Sequence, residues 1–249
     1  MRAWLLAASA ALVLAFAPGV RAESHTPREL VVLLHGLGRT DRAMRPLAKR
    51  LEAAGYEVRA LRYDSTGKPP EVLVADLDAE LARCCAAAER IDFVTHSLGS
   101  ILLRAELAEH PLPKLGRVVM LAPPNHGSEL ADWLRGSATL RALMGPTAIE
   151  LGTDGASLPN RLPAASFEVG VIAGTDSLNP IGSQMIPGED DGTVSVASAR
   201  LEGMRDFLVL PVSHTMILRS SEAADQTLAF LRTGRFQREP ADRAEEGRR

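Results

Sequence analysis

The sequence is short of cysteine, of net charge and of long apolar runs, and each shortage removes a class of protein. Two cysteines in 249 residues cannot staple a disulfide scaffold. They are neighbours, Cys84 and Cys85, in the helix-like stretch VLVADLDAELARCCAAAER, where adjacent side chains point about 100° apart. A bond between them needs a strained non-helical turn, so they read as two small, partly buried thiols, with a vicinal or intermolecular disulfide as the alternative. No histidine or second cysteine pair stands at ligand spacing to make them a metal site. The net charge is −3, with no Lys/Arg block in the body of the chain. Nothing there favours nucleic acid, and a small neutral or mildly polar substrate suits the balance better.

One sustained apolar run exists, from Trp4 to Ala17. It falls short of the roughly 20 residues that span a bilayer, and Pro18-Gly19 ends it. Arg2 before it and Val20-Arg21-Ala22 after it complete the layout of a cleavable signal peptide over residues 1–22, which points to a secreted or periplasmic protein. Residues 23–234 are enough for one domain with a sizeable core. The last fifteen, RFQREPADRAEEGRR, carry nine charged groups and read as a solvated, disordered tail over 235–249.

Short β-branched runs alternate with helical patterns along the body. Strands are expected at Leu30 to Leu34, Val58 to Tyr63, Ile91 to Val94, Val118 to Leu121, Phe167 to Ile172 and Phe207 to Leu210. Helices are expected near 41–54, 71–89, 98–110 and 216–232. Such alternation predicts an α/β architecture, a mainly parallel sheet with helices on both faces. Between Asn125 and Ser166 the rhythm breaks under repeated Gly and Pro, while Leu130, Trp133, Leu134, Leu140, Leu143 and Met144 recur near helical spacing. A lid-like excursion of one or two helices over 125–166 is the expected shape.

Ser97 stands in Thr95-His96-Ser97-Leu98-Gly99, directly after the strand IDFV and directly before a helical run. Strand, sharp turn, serine and helix give a Gly-x-Ser-x-Gly pattern its meaning, because a strained turn there pushes the hydroxyl above the sheet. Here Thr95 replaces the first glycine, and Gly99 and Ser100 must make the room. The plain alternative is a serine capping an ordinary helix.

A serine at its ordinary pKa is a poor nucleophile and needs a base. Among the six histidines, His25 lies beside the cleavage site, His110 precedes a proline, and His35 and His96 belong to the turn motifs. His126 and His214 remain, and His214 falls between the last strand and the last helix, where a loop presents it to the serine. An acid should follow the strand at 167–172; Asp191, at the head of Asp-Gly-Thr-Val-Ser-Val, is preferred to Asp176 and Asp190, whose plainer role is turn hydrogen bonding. Oxyanion donors are expected at the N–H of Leu98 and, from His35-Gly36-Leu37-Gly38, at the N–H of Leu37.

With these segments in order, the chain resembles bacterial lipases and esterases of the α/β-hydrolase superfamily. LVVLLHGLG, FVTHSLGS, LAPPNHGSELADWL, GEDDGTVSVASARL and LPVSHTMIL carry the resemblance from Leu30 to about Leu218. It implies the α/β-hydrolase fold and hydrolysis of carboxylic esters through an acyl-enzyme, with Ser97, Asp191 and His214 as triad and Leu37 and Leu98 as oxyanion donors. An acyltransferase, phospholipase or amidase with the same nucleophile is the alternative, and a non-catalytic binding module a more distant one. His126, in a turn resembling a structural family loop, is not assigned a catalytic role. Some members bind calcium through an Asp shortly after the histidine; Thr215 and Met216 stand here, so no metal or other cofactor is expected. The expected partner is a small-molecule or lipid ester, with transient contact at a lipid surface left open.

Overall fold

The computed structural model describes residues 29–238. The expected leader over 1–22 and the tail beyond 238 lie outside them. Six strands, β1 (Leu30–Leu34), β2 (Glu57–Leu61), β3 (Ile91–His96), β4 (Leu115–Leu121), β5 (Val169–Gly174) and β6 (Asp206–Leu210), form one sheet in the order β2-β1-β3-β4-β5-β6. Every pairing is parallel. Parallel neighbours need crossovers, and the crossover helices cover both faces.

The pleat divides β1 between two cores. Val32 and Leu34 join a cluster with Leu73, Leu77 and Leu81 of α2 (Pro70–Cys84, after α1, Arg45–Ala53) and Ile101 and Leu102 of α3 (Leu98–Glu109). Val31 and Leu33 point the other way, toward Leu47 and Leu51 of α1 and Phe230 near the chain's end. Burial on both faces explains why the central strands read as continuous apolar runs rather than alternating ones.

Between β4 and β5 the chain makes four short helices, α4 (Glu129–Arg135), α5 (Ala138–Met144), α6 (Pro146–Ile149) and α7 (Leu158–Arg161), against the one or two expected. Gly136, Gly145 and Pro146 cut the apolar periodicity into pieces no longer than seven residues. Two further short helices, α8 (Pro180–Met185) and α9 (Val196–Ala199), flank the 186–195 loop, and α10 (Ser221–Thr233) closes the fold. Ser220 Oγ accepts from the Ala223 N–H at its start, and Gly234, at φ 73°, ends it in the left-handed conformation.

Two expectations shift. Helix α2 stops at Cys84, with Cys85 leaving helical geometry; both cysteines are free thiols, Cys84 half-buried and Cys85 buried. Burial, followed by its contact with Cys84, pushes the Cys85 thiol up to about 12. The boundary at 235 also moves: Phe236 is buried and packs its ring at a tilt against Phe230, its N–H donates to Asp206 Oδ2 at 2.8 Å, and Arg238 pairs with Asp206 at 2.6 Å. Charge count alone had hidden that one aromatic ring and one buried acid hold this segment down. No helix among the described residues is long and apolar enough to cross a membrane.

Candidate active site

Ser97 occupies the bend between β3 and α3 at φ 51°, ψ −122°, a region that L-residues rarely adopt. Neighbouring backbone enforces the bend. The Ser97 N–H donates to the Leu121 carbonyl on β4 at 3.0 Å, and the helix begins at once, Ser100 N–H donating back to the Ser97 carbonyl at 2.9 Å. The bend requires glycine at 99: a Cβ there would stand 2.7 Å from the Leu34 carbonyl oxygen and 2.9 Å from that of His35. Thr95 is fully buried, and its hydroxyl pairs with Ser100 Oγ at 2.8 Å, so the space expected of Gly99 and Ser100 is partly used for a hydrogen bond.

Two loops at the carboxyl ends of the strands bring their side chains to this serine. His214, in the loop after β6, stands with Nε2 3.0 Å from Ser97 Oγ and Nδ1 2.8 Å from Asp191 Oδ2. Asp191 is almost fully buried; its other oxygen accepts from the Thr193 and Val194 N–H groups at 3.0 and 2.8 Å, and its carbonyl accepts from the His214 N–H at 3.0 Å. A carboxylate facing Nδ1 fixes the tautomer with the proton there, so Nε2 presents its lone pair to the serine hydroxyl. The arrangement can move a proton from Ser97 to His214 and hold the resulting imidazolium beside a carboxylate.

The alternative residues lie elsewhere. Asp190 Oδ1 accepts from Ser183 Oγ at 2.6 Å and from the Gly192 N–H at 2.7 Å, the work of a turn aspartate. Asp176 is exposed, and His126 faces Asn160 at 3.3 Å, outside the cavity at Ser97. Leu37 lines that cavity next to Gly36, and Leu98 opens α3, where a first-turn N–H has no helical carbonyl to meet.

Several contacts carry no signature in the sequence. His96 Nε2–H donates to the His214 carbonyl at 2.8 Å, bracing the loop that carries His214. Burial, then the positive form of His214, pushes His96 down to about 3, so it remains neutral and serves as a fixed donor. Its Nδ1 has no hydrogen-bond partner among the described residues, and a Cβ at Gly36 would sit 2.9 Å from that atom. The serine's neighbour thus fixes the histidine's backbone across 118 positions of sequence, a link that no local pattern encodes. His35 is likewise held below its ordinary value by burial, and it stacks on Tyr63 with ring centroids 3.9 Å apart.

The excursion forms the opposite wall. Leu130, Ala131, Leu134, Met144, Ala148 and Leu151 line a cavity of about 220 Å³ that opens onto Ser97 and His214. A buried arginine on α3 ties down both stems of this cover: Arg104 donates to the Asn125 carbonyl at 3.0 Å and to the Leu162 and Pro163 carbonyls, each at 3.3 Å. Burial draws its guanidinium down to about 10, still charged at neutral pH. Across the cover, Arg135 bonds the Ile149 carbonyl and Asp154, and Ser128 Oγ donates to the Thr193 carbonyl at 2.6 Å beside Asp191.

The sequence profile of the Alpha/beta hydrolase family matches residues 31–244. The chain belongs to that family. Among solved structures, this hydrolase is similar to the mature lipase BlEst2 of Bacillus licheniformis, at 20% identity and TM-score 0.67, over 84% of this chain and 93% of that one. It is similar as well to phospholipase PlaB of Legionella pneumophila, at 19% identity and TM-score 0.68 over 86% of this chain, although it spans only 60% of PlaB. A third likeness, to the metagenomic carboxyl esterase MGS0156, has 21% identity and TM-score 0.56, over 81% and 70% of the two chains. At these identities the likeness is one of fold. No curated protein matches the sequence.

Proposed function

We propose that this alpha/beta hydrolase cleaves carboxylic esters through an acyl-enzyme, with Ser97 as nucleophile, His214 as general base and acid, and Asp191 as the group that orients and stabilises the imidazole. His214 Nε2 takes the Ser97 proton as Oγ bonds to the ester carbonyl carbon. The tetrahedral oxyanion is held by the N–H groups of Leu37 and Leu98, and collapse expels the alcohol carrying the proton from His214. Water then repeats the sequence on the acyl-enzyme and frees the acid. The observation that carries this reading is the continuous line Ser97 Oγ, His214, Asp191, with spacings of 3.0 and 2.8 Å at a backbone bend of positive φ.

The names of the similar structures, a lipase, a phospholipase and a carboxyl esterase, favour an ester over an amide. The cavity of about 220 Å³ lies below the roughly 300–1,000 Å³ usual for drug-sized ligands, which favours a short acyl group against the Leu134 and Met144 wall. Treatment with a fluorophosphonate should add one phosphonyl group, on Ser97, and Ser97→Ala should lower turnover of p-nitrophenyl butyrate by at least about 10³-fold. An alanine variant with undiminished turnover would overturn the assignment.

A further inference from the structure

Of the side chains lining the cavity at Ser97, one carries a formal charge, Arg39; no Asp, Glu or Lys among the described residues lines it. The guanidinium is exposed, makes no ion pair among the described residues, and donates through Nη2 to Thr215 Oγ1 at 3.1 Å. Thr215 directly follows His214 and also lines the cavity, so Arg39 is tethered beside the imidazole rather than beside the apolar cover.

The proposed ester hydrolysis gives that position a chemical meaning, and the role assigned to Arg39 rests on that reading. The imidazolium must hand its proton to the leaving oxygen, so the alcohol part of the ester departs on the His214 side, while the acyl chain faces Leu130, Leu134 and Met144. Arg39 then lies next to the alcohol part. It also borders a second depression of about 580 Å³, which it shares with Thr40, Arg62, Asp64 and Ser65. Two guanidinium groups face that depression against one carboxylate. Asp64 Oδ1 is engaged by the Gly67 N–H at 2.9 Å, and Ser65 Oγ by the Gly38 N–H at 3.0 Å. A planar guanidinium held at its edge by a hydroxyl keeps donors free for the bidentate recognition of an oxyanion.

We infer that Arg39 forms an anion-binding subsite for the leaving group, and that the enzyme selects esters of a short acyl chain with an alcohol bearing an anionic group. The subsite would take a phosphate, sulfonate or carboxylate on the alcohol, and it would give no advantage to the same charge on the acyl chain. A phosphate-bearing lipid alcohol and a small soluble anionic alcohol share this chemistry.

Three matched substrates test the inference on the purified full chain: phenyl butyrate, 4-sulfophenyl butyrate with the charge on the alcohol, and phenyl hydrogen succinate with the charge on the acyl arm. In wild type, raising ionic strength from roughly 0.05 to 1 M should cut kcat/KM for 4-sulfophenyl butyrate, relative to phenyl butyrate, by about five- to tenfold. Arg39→Gln at low salt should lower the same ratio by a similar factor, mostly through KM, and Arg39→Lys should retain part of it. The succinate ratio should stay level throughout. A flat sulfophenyl ratio in salt or in Arg39→Gln, or an equal fall for the succinate, would overturn the subsite while Ser97-dependent turnover of phenyl butyrate continued. Absence of Ser97-dependent turnover of all three esters would instead overturn the ester-hydrolase reading and the subsite with it. The salt series uses wild type alone, so a poorly folding variant cannot shelter the claim. Adding glycerol 3-phosphate as a competitor separates the two sources of anion: inhibition in the low-millimolar range indicates a small soluble alcohol, and inhibition only by a phosphate-bearing lipid in mixed micelles indicates the lipid.

Discussion

The two walls of the cavity at Ser97 are built by opposite means. The sheet-side wall is backbone: a serine at positive φ, a glycine against two carbonyl oxygens, and strand-to-strand hydrogen bonds. The excursion wall is side chain: apolar groups on short helices, fastened by Arg104 and Arg135 to main-chain carbonyls. Backbone constraint in a close-packed core leaves almost no freedom, which suits atoms that must meet within a few tenths of an ångström. A cover of short helices held by arginines can change its lining with little effect on the sheet, which suits the part that selects a substrate. Under the proposed ester hydrolysis, rigid chemistry and adaptable selection divide along the line between β3 and the excursion.

Substitutions on the two walls should reveal that division. The largest effect is expected at the acid. Asp191→Asn should lower kcat by about 10⁴-fold, as loss of the orienting carboxylate does in a comparable triad, while Asp190→Asn next to it, whose carboxylate serves the 183 and 192 turn, should stay within about tenfold. Equal losses at both, measured by ester turnover on folded protein, would break the assignment. Next comes Gly99→Ala. A Cβ 2.7 Å from a carbonyl oxygen forces the bend to shift by a fraction of an ångström or more, so kcat should fall by about 10²-fold and thermal stability with it. On the other wall, Leu134→Phe should leave the reaction with the shortest esters nearly intact and disfavour longer acyl chains by about ten- to a hundredfold, read from a chain-length series. Were Leu134→Phe to slow every ester equally, the two walls would not be separate in function.

The sheet side was also the legible side. A β-branched run, a turn with glycine and a helical pattern sit next to one another around Ser97, so local chemistry points to the bend, with a helix-capping serine as the plain alternative. Likewise, Asp191 opens a turn in the long connection after β5 and His214 one just after β6, and their order along the chain limits which loops can meet. The contacts that escaped are those whose partners lie far apart. His96 reads as a motif residue until its ring is seen beneath the His214 carbonyl, and Arg104 reads as an ordinary arginine in mid-helix until it is found buried against both stems of the excursion. The excursion itself was blurred because Gly and Pro broke its period every few residues, leaving helices too short for a pattern to register. Phe236 teaches the same lesson at the other end: a buried ring and the buried Asp206 order residues that a charge count alone marks as tail.

The most direct measurement is a crystal structure of the protein after reaction with a short-chain p-nitrophenyl alkylphosphonate. Phosphorus should be bonded to Ser97 Oγ, with one phosphoryl oxygen about 2.7–3.1 Å from the backbone nitrogens of Leu37 and Leu98. The alkyl chain should lie against Leu134 and Met144, with His214 Nε2 facing the site of the departed alcohol. Phosphorus on another residue, or a phosphoryl oxygen turned away from both amides, would contradict the account.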